Sequence, residues 1–182
     1  VISGDKRGLP LKAVPGSSTR PTTDKVKESI FNMIGPYFQG GFALDLYAGS
    51  GGLGIEAISR GVERVIFVDQ DRKAIETIKK NLQQCSFEER SEVYRNDSAR
   101  ALKALIKRGI AFSFIFLDPP YAKQNIANEI SIILDYELLE DNGMIVCEHD
   151  TSVRLPVEIG KATTFRSEVY GDTTITIFTN NK

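Results

Sequence analysis

Residues 42–54, Phe-Ala-Leu-Asp-Leu-Tyr-Ala-Gly-Ser-Gly-Gly-Leu-Gly, constrain this chain more than any other stretch. Phe42 to Tyr47 is a short apolar run broken by one acid, Asp45, the pattern of a strand buried in a parallel sheet. Gly49, Gly51, Gly52 and Gly54 then crowd a turn that opens into the helical pattern Ile55-Glu56-Ala57-Ile58. Glycine lets the backbone approach a ligand closely, and the first amides of a helix have no partner within it. Strand, glycine turn and helix N-terminus together therefore make a place for a polar ligand.

From Phe42 onward the chain alternates. Apolar runs at Arg64 to Asp69, Ser91 to Arg95, Phe112 to Leu117 and Gly143 to Glu148 read as strands. Between them, Arg72 to Gln84, Ser98 to Lys107 and Ile126 to Leu134 carry apolar residues at helical spacing. Ala162 to Tyr170 and Thr173 to Thr179, joined by Gly171-Asp172, read as a closing hairpin. Such alternation predicts a Rossmann-like α/β fold, a mostly parallel sheet covered on both faces, with an antiparallel strand added last. Residues 1–40 precede this pattern. Gly4, Gly8, Pro10, Pro15, Gly16 and Pro21 punctuate a stretch that predicts a β-arm, and Thr22-Thr23-Asp24 starts a helix with Val26, Ile30, Met33 and Ile34 on one face. The length of 182 residues suits a single domain over 1–182, with an N-terminal arm and helix over 1–40 and an alternating core over 41–182.

Ligands of such sheets lie beyond the carboxyl ends of the strands, and four polar features fall there: Gly49, Asp69, Asp97 and Asp118. Gly49 to Gly54 fits the dinucleotide fingerprint, with Asp69 about 20 residues on. Asp45, four residues before the first glycine, argues against a pyrophosphate, because a carboxylate there accepts from an ammonium or orders the turn. Asp69 can accept from both ribose hydroxyls of an adenosine, the alternative being a helix cap. The carboxylate of Asp97 can accept from an adenine amine or cap the next helix. Asp118-Pro119-Pro120-Tyr121 is the most specific string. Two prolines fix φ and remove amide donors, so the Asp118 carboxylate and the Pro119 carbonyl can act as paired acceptors. Two acceptors on a planar exocyclic amine orient it and favour the pyramidal form whose lone pair attacks a methyl group. Tyr121 offers a face on which an extruded base can rest.

Charge is −1 overall but uneven: residues 1–27 carry +4, leaving −5 for the remainder, and a local basic arm suits a phosphate backbone. No run is long enough to span a bilayer and no signal-peptide pattern opens the chain, although it begins at Val1, so residues upstream are expected. Cys85 and Cys147 form no CxxC pair and, with one histidine, leave no zinc site, so a reduced, cytoplasmic setting and no metal are expected. His149 and Cys147 read as structural residues.

The glycine loop resembles motif I of the class I S-adenosylmethionine (SAM) methyltransferases in its Ala-Gly-Ser-Gly variant, and Asp-Pro-Pro-Tyr resembles motif IV of those that modify amino groups. Thr19-Arg20-Pro21-Thr22-Thr23-Asp24-Lys25-Val26-Lys27-Glu28-Ser29-Ile30-Phe31-Asn32 extends the likeness over essentially the whole chain, to bacterial small-subunit (16S) ribosomal RNA guanine 2-amino methyltransferases. The resemblance implies a seven-stranded sheet with the last strand reversed. It also implies SAM as co-substrate, held by Asp45, Ala48, Gly49, Ser50, Gly51, Gly54, Asp69, Gln70, Asn96 and Asp97. Asp118, Pro119, Pro120 and Tyr121 would hold the guanine, and Arg7, Arg20 and Thr22 would meet RNA. Motif IV of the family often ends in Phe, and Tyr121 keeps the ring while adding a hydroxyl. The partner implied is ribosomal RNA or a small-subunit assembly intermediate, with no membrane, met by a monomer. The alternatives are a DNA adenine or protein glutamine amino-methyltransferase, which more often has Asn at position 118, a nicotinamide-dependent oxidoreductase, and a non-catalytic RNA-binding module that keeps a SAM pocket.

Overall fold

The computed structural model describes residues 1–16, 22–120 and 125–180. Helix α1 (Asp24–Ile34) precedes the alternating pattern, followed by β1 (Phe42–Leu46), α2 (Gly52–Ser59), β2 (Arg64–Asp69), α3 (Arg72–Cys85), β3 (Ser91–Arg95), α4 (Ser98–Arg108), β4 (Phe112–Leu117), α5 (Ile126–Asp135) and β5 (Leu139–Asp150). The chain closes with β6 (Glu158–Ile159), β7 (Ala162–Tyr170) and β8 (Thr173–Asn180). Among the described residues these strands form one sheet in the order β3-β2-β1-β4-β5-β8-β7-β6. β1 to β5 pair in parallel, and β8 enters antiparallel beside β5. The fold is the Rossmann-like methyltransferase fold expected, with the last strand reversed.

Two details differ from expectation. The sheet has eight strands instead of seven, because Glu158 and Ile159 pair with Thr163 and Ala162 and add a two-residue edge. The described part of the N-terminal arm is not β: residues 1–16 form turns and irregular chain. Its amides find turn carbonyls, the Ser59 carbonyl and side-chain acceptors instead of a neighbouring strand. Ile2 and Ser3 donate to the carboxylate of Glu56 at 2.9 and 3.1 Å, and Lys6 donates to the Ser59 hydroxyl.

Alternation along each strand sends side chains to two cores. Phe67 and Ile55 pack on one face with Ile30, Phe31, Ile58 and Ile78 from α1, α2 and α3. Leu44, Leu46 and Leu117 pack on the other with Leu102, Leu105, Ile130 and Ile133 from α4 and α5. Gly54 belongs to the first core for a steric reason: a Cβ there would lie 2.4 Å from the Phe67 ring, so glycine lets α2 settle on the sheet.

Candidate active site

Strand register builds the site. Leu46 pairs with Val68 on one side and with Leu117 on the other, and Leu117 pairs with Cys147. The next residues along β1, β2, β4 and β5 therefore emerge together at one carboxyl-end rim: the glycine loop, Asp69, Asp118 and Glu148. Gly49 and Gly51 take φ of 59° and 82°, the left-handed region that closes this loop, and the Gly51 amide donates to the Ala48 carbonyl. Gly51 caps α2 with no side chain, so the helix presents its first amides toward the rim. The Ser50 carbonyl accepts from the buried side chain of Asn81 on α3.

Asp69 does not cap α3; Asp71 does, accepting from the Lys73 amide. The two oxygens of Asp69 accept from the Gly49 and Asp71 amides, both at 2.8 Å, which lashes the glycine loop to the end of β2. Asp97 takes the capping role, accepting from the Arg100 amide at 2.8 Å with the Arg100 guanidinium 3.4 Å from its second oxygen. Gln70 is exposed beyond β2 and accepts from the Arg95 guanidinium through its carbonyl. The Asn96 amide donates to the Asp69 carbonyl, joining the ends of β2 and β3.

Asp45 is buried on the α2 face of β1, where its carboxyl accepts from the Gly54 amide at 3.0 Å. Burial raises it to about 8, only partly opposed by that hydrogen bond, and the negative charges of Asp69 and Glu148 raise it further. Asp45 thus orders the turn. Asp118 lies half-buried beyond β4, next to a buried Pro119 and an exposed Pro120. Burial, then the charge of Glu148 and a hydrogen bond between the two carboxyls, push Asp118 well above the usual carboxylate range. Glu148 also accepts from the Thr22 hydroxyl at 2.8 Å, which brings the start of α1 to the same rim.

The structure gathers Asp45, Ala48, Gly49, Ser50, Gly51, Gly54, Asp69, Asn96, Asp97, Asp118, Pro119 and Thr22 around this rim. It does not bring Arg7 there. The neighbouring Lys6 bonds to Ser59 at the C-terminal end of α2, and Arg7 is exposed at that opposite end of the sheet. Arg20 and Tyr121 lie outside the described residues.

Sequence reading missed Glu148. It closes the apolar run Gly143 to Glu148 as Asp118 follows the run Phe112 to Leu117, so the strand-end rule that found the other acids reaches it too. Reading also missed a buried set beneath the rim. The Tyr47 hydroxyl donates to Glu129 of α5 at 2.7 Å and lies 2.9 Å from the Ser98 hydroxyl of α4. Among the described residues, the second Glu129 oxygen is buried with no hydrogen-bond partner.

Comparison with known proteins places this arrangement. The family model described as conserved hypothetical protein 95 matches residues 1–179. The chain belongs to that family. It is 58% identical to YlbH of Bacillus subtilis, provisionally named an rRNA methyltransferase, over 98% of this chain and 97% of that one. It is 37% identical to ribosomal RNA small subunit methyltransferase D of Haemophilus influenzae, over 81% and 77% of the two chains. Among solved structures, an Escherichia coli protein, yhhF, provisionally titled a methyltransferase, superposes with a TM-score of 0.83 at 29% identity, covering 100% of this chain and 97% of that one. A Streptococcus pyogenes protein titled only as conserved and hypothetical does so with a TM-score of 0.82 at 42% identity, covering 86% and 96%. No helix among the described residues is long and apolar enough to cross a membrane.

Proposed function

We propose that this protein is a SAM-dependent methyltransferase of small-subunit ribosomal RNA, with the exocyclic 2-amino group of one guanine as acceptor. The observation that supports this most is the shared rim. Asp118-Pro119-Pro120 stands beside the glycine loop, because Leu117 and Leu46 are register partners on adjacent strands. The relatives that carry small-subunit rRNA methyltransferase names add the substrate class.

The residues fit SAM. The uncapped N-terminus of α2 suits its carboxylate. Asp69 keeps lone pairs beyond those used by Gly49 and Asp71, which suits ribose hydroxyls. SAM supplies a methyl group already activated on a sulfonium. The chain's own task is positioning. The Asp118 carboxyl and the Pro119 carbonyl accept from the amine hydrogens and turn the nitrogen lone pair toward the donor. Thr22 and the basic segment before it meet the RNA in a cytoplasmic setting.

The test is incubation with labelled SAM and small-subunit particles from cells lacking the enzyme, followed by mapping of the label. N2-methylguanosine at one position is the expected result. Label on adenine or on protein, or a preference for NAD over SAM in a binding assay, would overturn the reading.

A further inference from the structure

Motif IV accounts for two acceptors, Asp118 and Pro119, yet the rim holds a third that this chemistry leaves unused. Glu148 follows Cys147 on β5 as Asp118 follows Leu117 on β4, and those two residues are register partners. That register sets the two carboxyls side by side at the rim. Glu148 is half-buried and held by the Thr22 hydroxyl through one oxygen, which leaves lone pairs free.

Resting on the reading above, we propose that Glu148 selects guanine by accepting its N1–H while Asp118 accepts from the adjacent N2 amine. Among the bases, guanine presents an amine hydrogen and a ring N–H side by side on its pairing edge. Two adjacent acceptors match that edge. Adenine places a ring lone pair at the equivalent atom, where a carboxylate oxygen is repelled, and a buried polar group left facing the wrong partner is costly.

The same pair suits the reaction's proton balance. The N2 lone pair forms the new N–C bond as the methyl–sulfur bond breaks and its electrons remain on sulfur. The alkylated nitrogen then carries a surplus proton, which passes to the carboxyl pair and on to water. No other reactant is needed.

The experiment uses small-subunit particles reconstituted with rRNA in which the mapped target base is guanine or 2-aminopurine. The latter keeps the 2-amino group but has a ring lone pair in place of N1–H. The full-length protein is expected to prefer guanine by about a hundredfold in kcat/KM. Glu148→Gln, whose amide can donate to that lone pair, is expected to narrow the preference to about tenfold or less while SAM binding is unchanged. An unchanged preference in Glu148→Gln overturns the inference. Should that variant fail to bind SAM through misfolding, the unaltered protein still decides: equal use of both bases overturns the inference, and strong rejection of 2-aminopurine supports it. Transfer to the guanine amine without this discrimination sinks the role of Glu148 alone. No transfer to that amine sinks the methyltransferase reading as well.

Discussion

Asp118 and Asp45 lie on neighbouring strands, and burial raises both, yet they differ in what their carboxyls can reach. Asp118 lies at the open rim, so Asp118→Ala is expected to reduce methyl transfer by about a thousandfold or more while SAM binding survives. Parallel loss of both in a binding and turnover assay would make it structural. Asp45 is enclosed and already satisfied by the Gly54 amide. The folded protein keeps the Asp45 proton up to about pH 8, whereas an unperturbed aspartate releases it near 3.8. Across that window the folded state binds more protons, so this residue makes stability fall as pH rises through it. Asp45→Asn preserves the acceptor without the charge. It is expected to raise the unfolding free energy at pH 8 by ~1–3 kcal/mol and to flatten its dependence between pH 5 and 8, checked by urea denaturation across pH. The identity of these acids was legible in the sequence. Which of them lies at the open rim and which serves the backbone was not, because that depends on the strand face and on what packs above it.

Helices and loops are held to the sheet by two buried polar clusters. Glu56 of α2 is fully buried. Burial would raise it, but the Ile2 amide, the Arg60 guanidinium and Lys27 outweigh that and hold it below the usual range. Its contribution to stability is therefore present above the usual glutamate range and lost as pH falls through the lowered value. Glu56→Gln leaves Arg60 and Lys27 without their counter-charge and is expected to cost ~3–5 kcal/mol, with faster proteolytic cleavage near Lys6 and Arg7 as the arm loosens. The second cluster joins β1, α4 and α5 through Tyr47, which takes φ of 67°, a conformation uncommon for a residue with a side chain. Removing its hydroxyl takes from Glu129 the hydrogen bond that holds one of its buried oxygens. Tyr47→Phe is expected to lower stability by ~1–3 kcal/mol and to weaken SAM binding, as measured by calorimetry. Neither cluster follows from periodicity. Tyr47 reads as the end of an apolar strand, and Glu129 as the exposed position of a helix whose apolar residues face inward. The length of β5 was also hidden, since Glu140, Asp141 and Asn142 look like a loop yet lie within Leu139–Asp150.

Over the whole molecule, the N-terminal segment runs from one end of the sheet to the other. Its first residues sit beside Ser59, Lys12 exchanges hydrogen bonds with Asn81, and Thr22 reaches Glu148. Arg20 precedes Thr22 by two residues, so Arg20→Ala is expected to weaken rRNA binding and to reduce its salt slope by about one, with SAM affinity unchanged. Arg7→Ala, at the far end, is expected to change RNA binding much less. Equal effects of the two in a salt titration would mean that the RNA wraps the whole arm. The sequence by itself determined the order of strands and helices, the glycine turn, the proline turn and the rule that both fall at strand ends. Those are local consequences of side-chain period and backbone freedom, read within a dozen residues. The tertiary structure alone decided that Glu148 stands beside Asp118, that Thr22 reaches across 126 positions to hold it, and that Arg7 lies at the end of the sheet opposite the rim. Such neighbours are set by which strands pair and in what register, and that balance is struck only when the whole sheet closes.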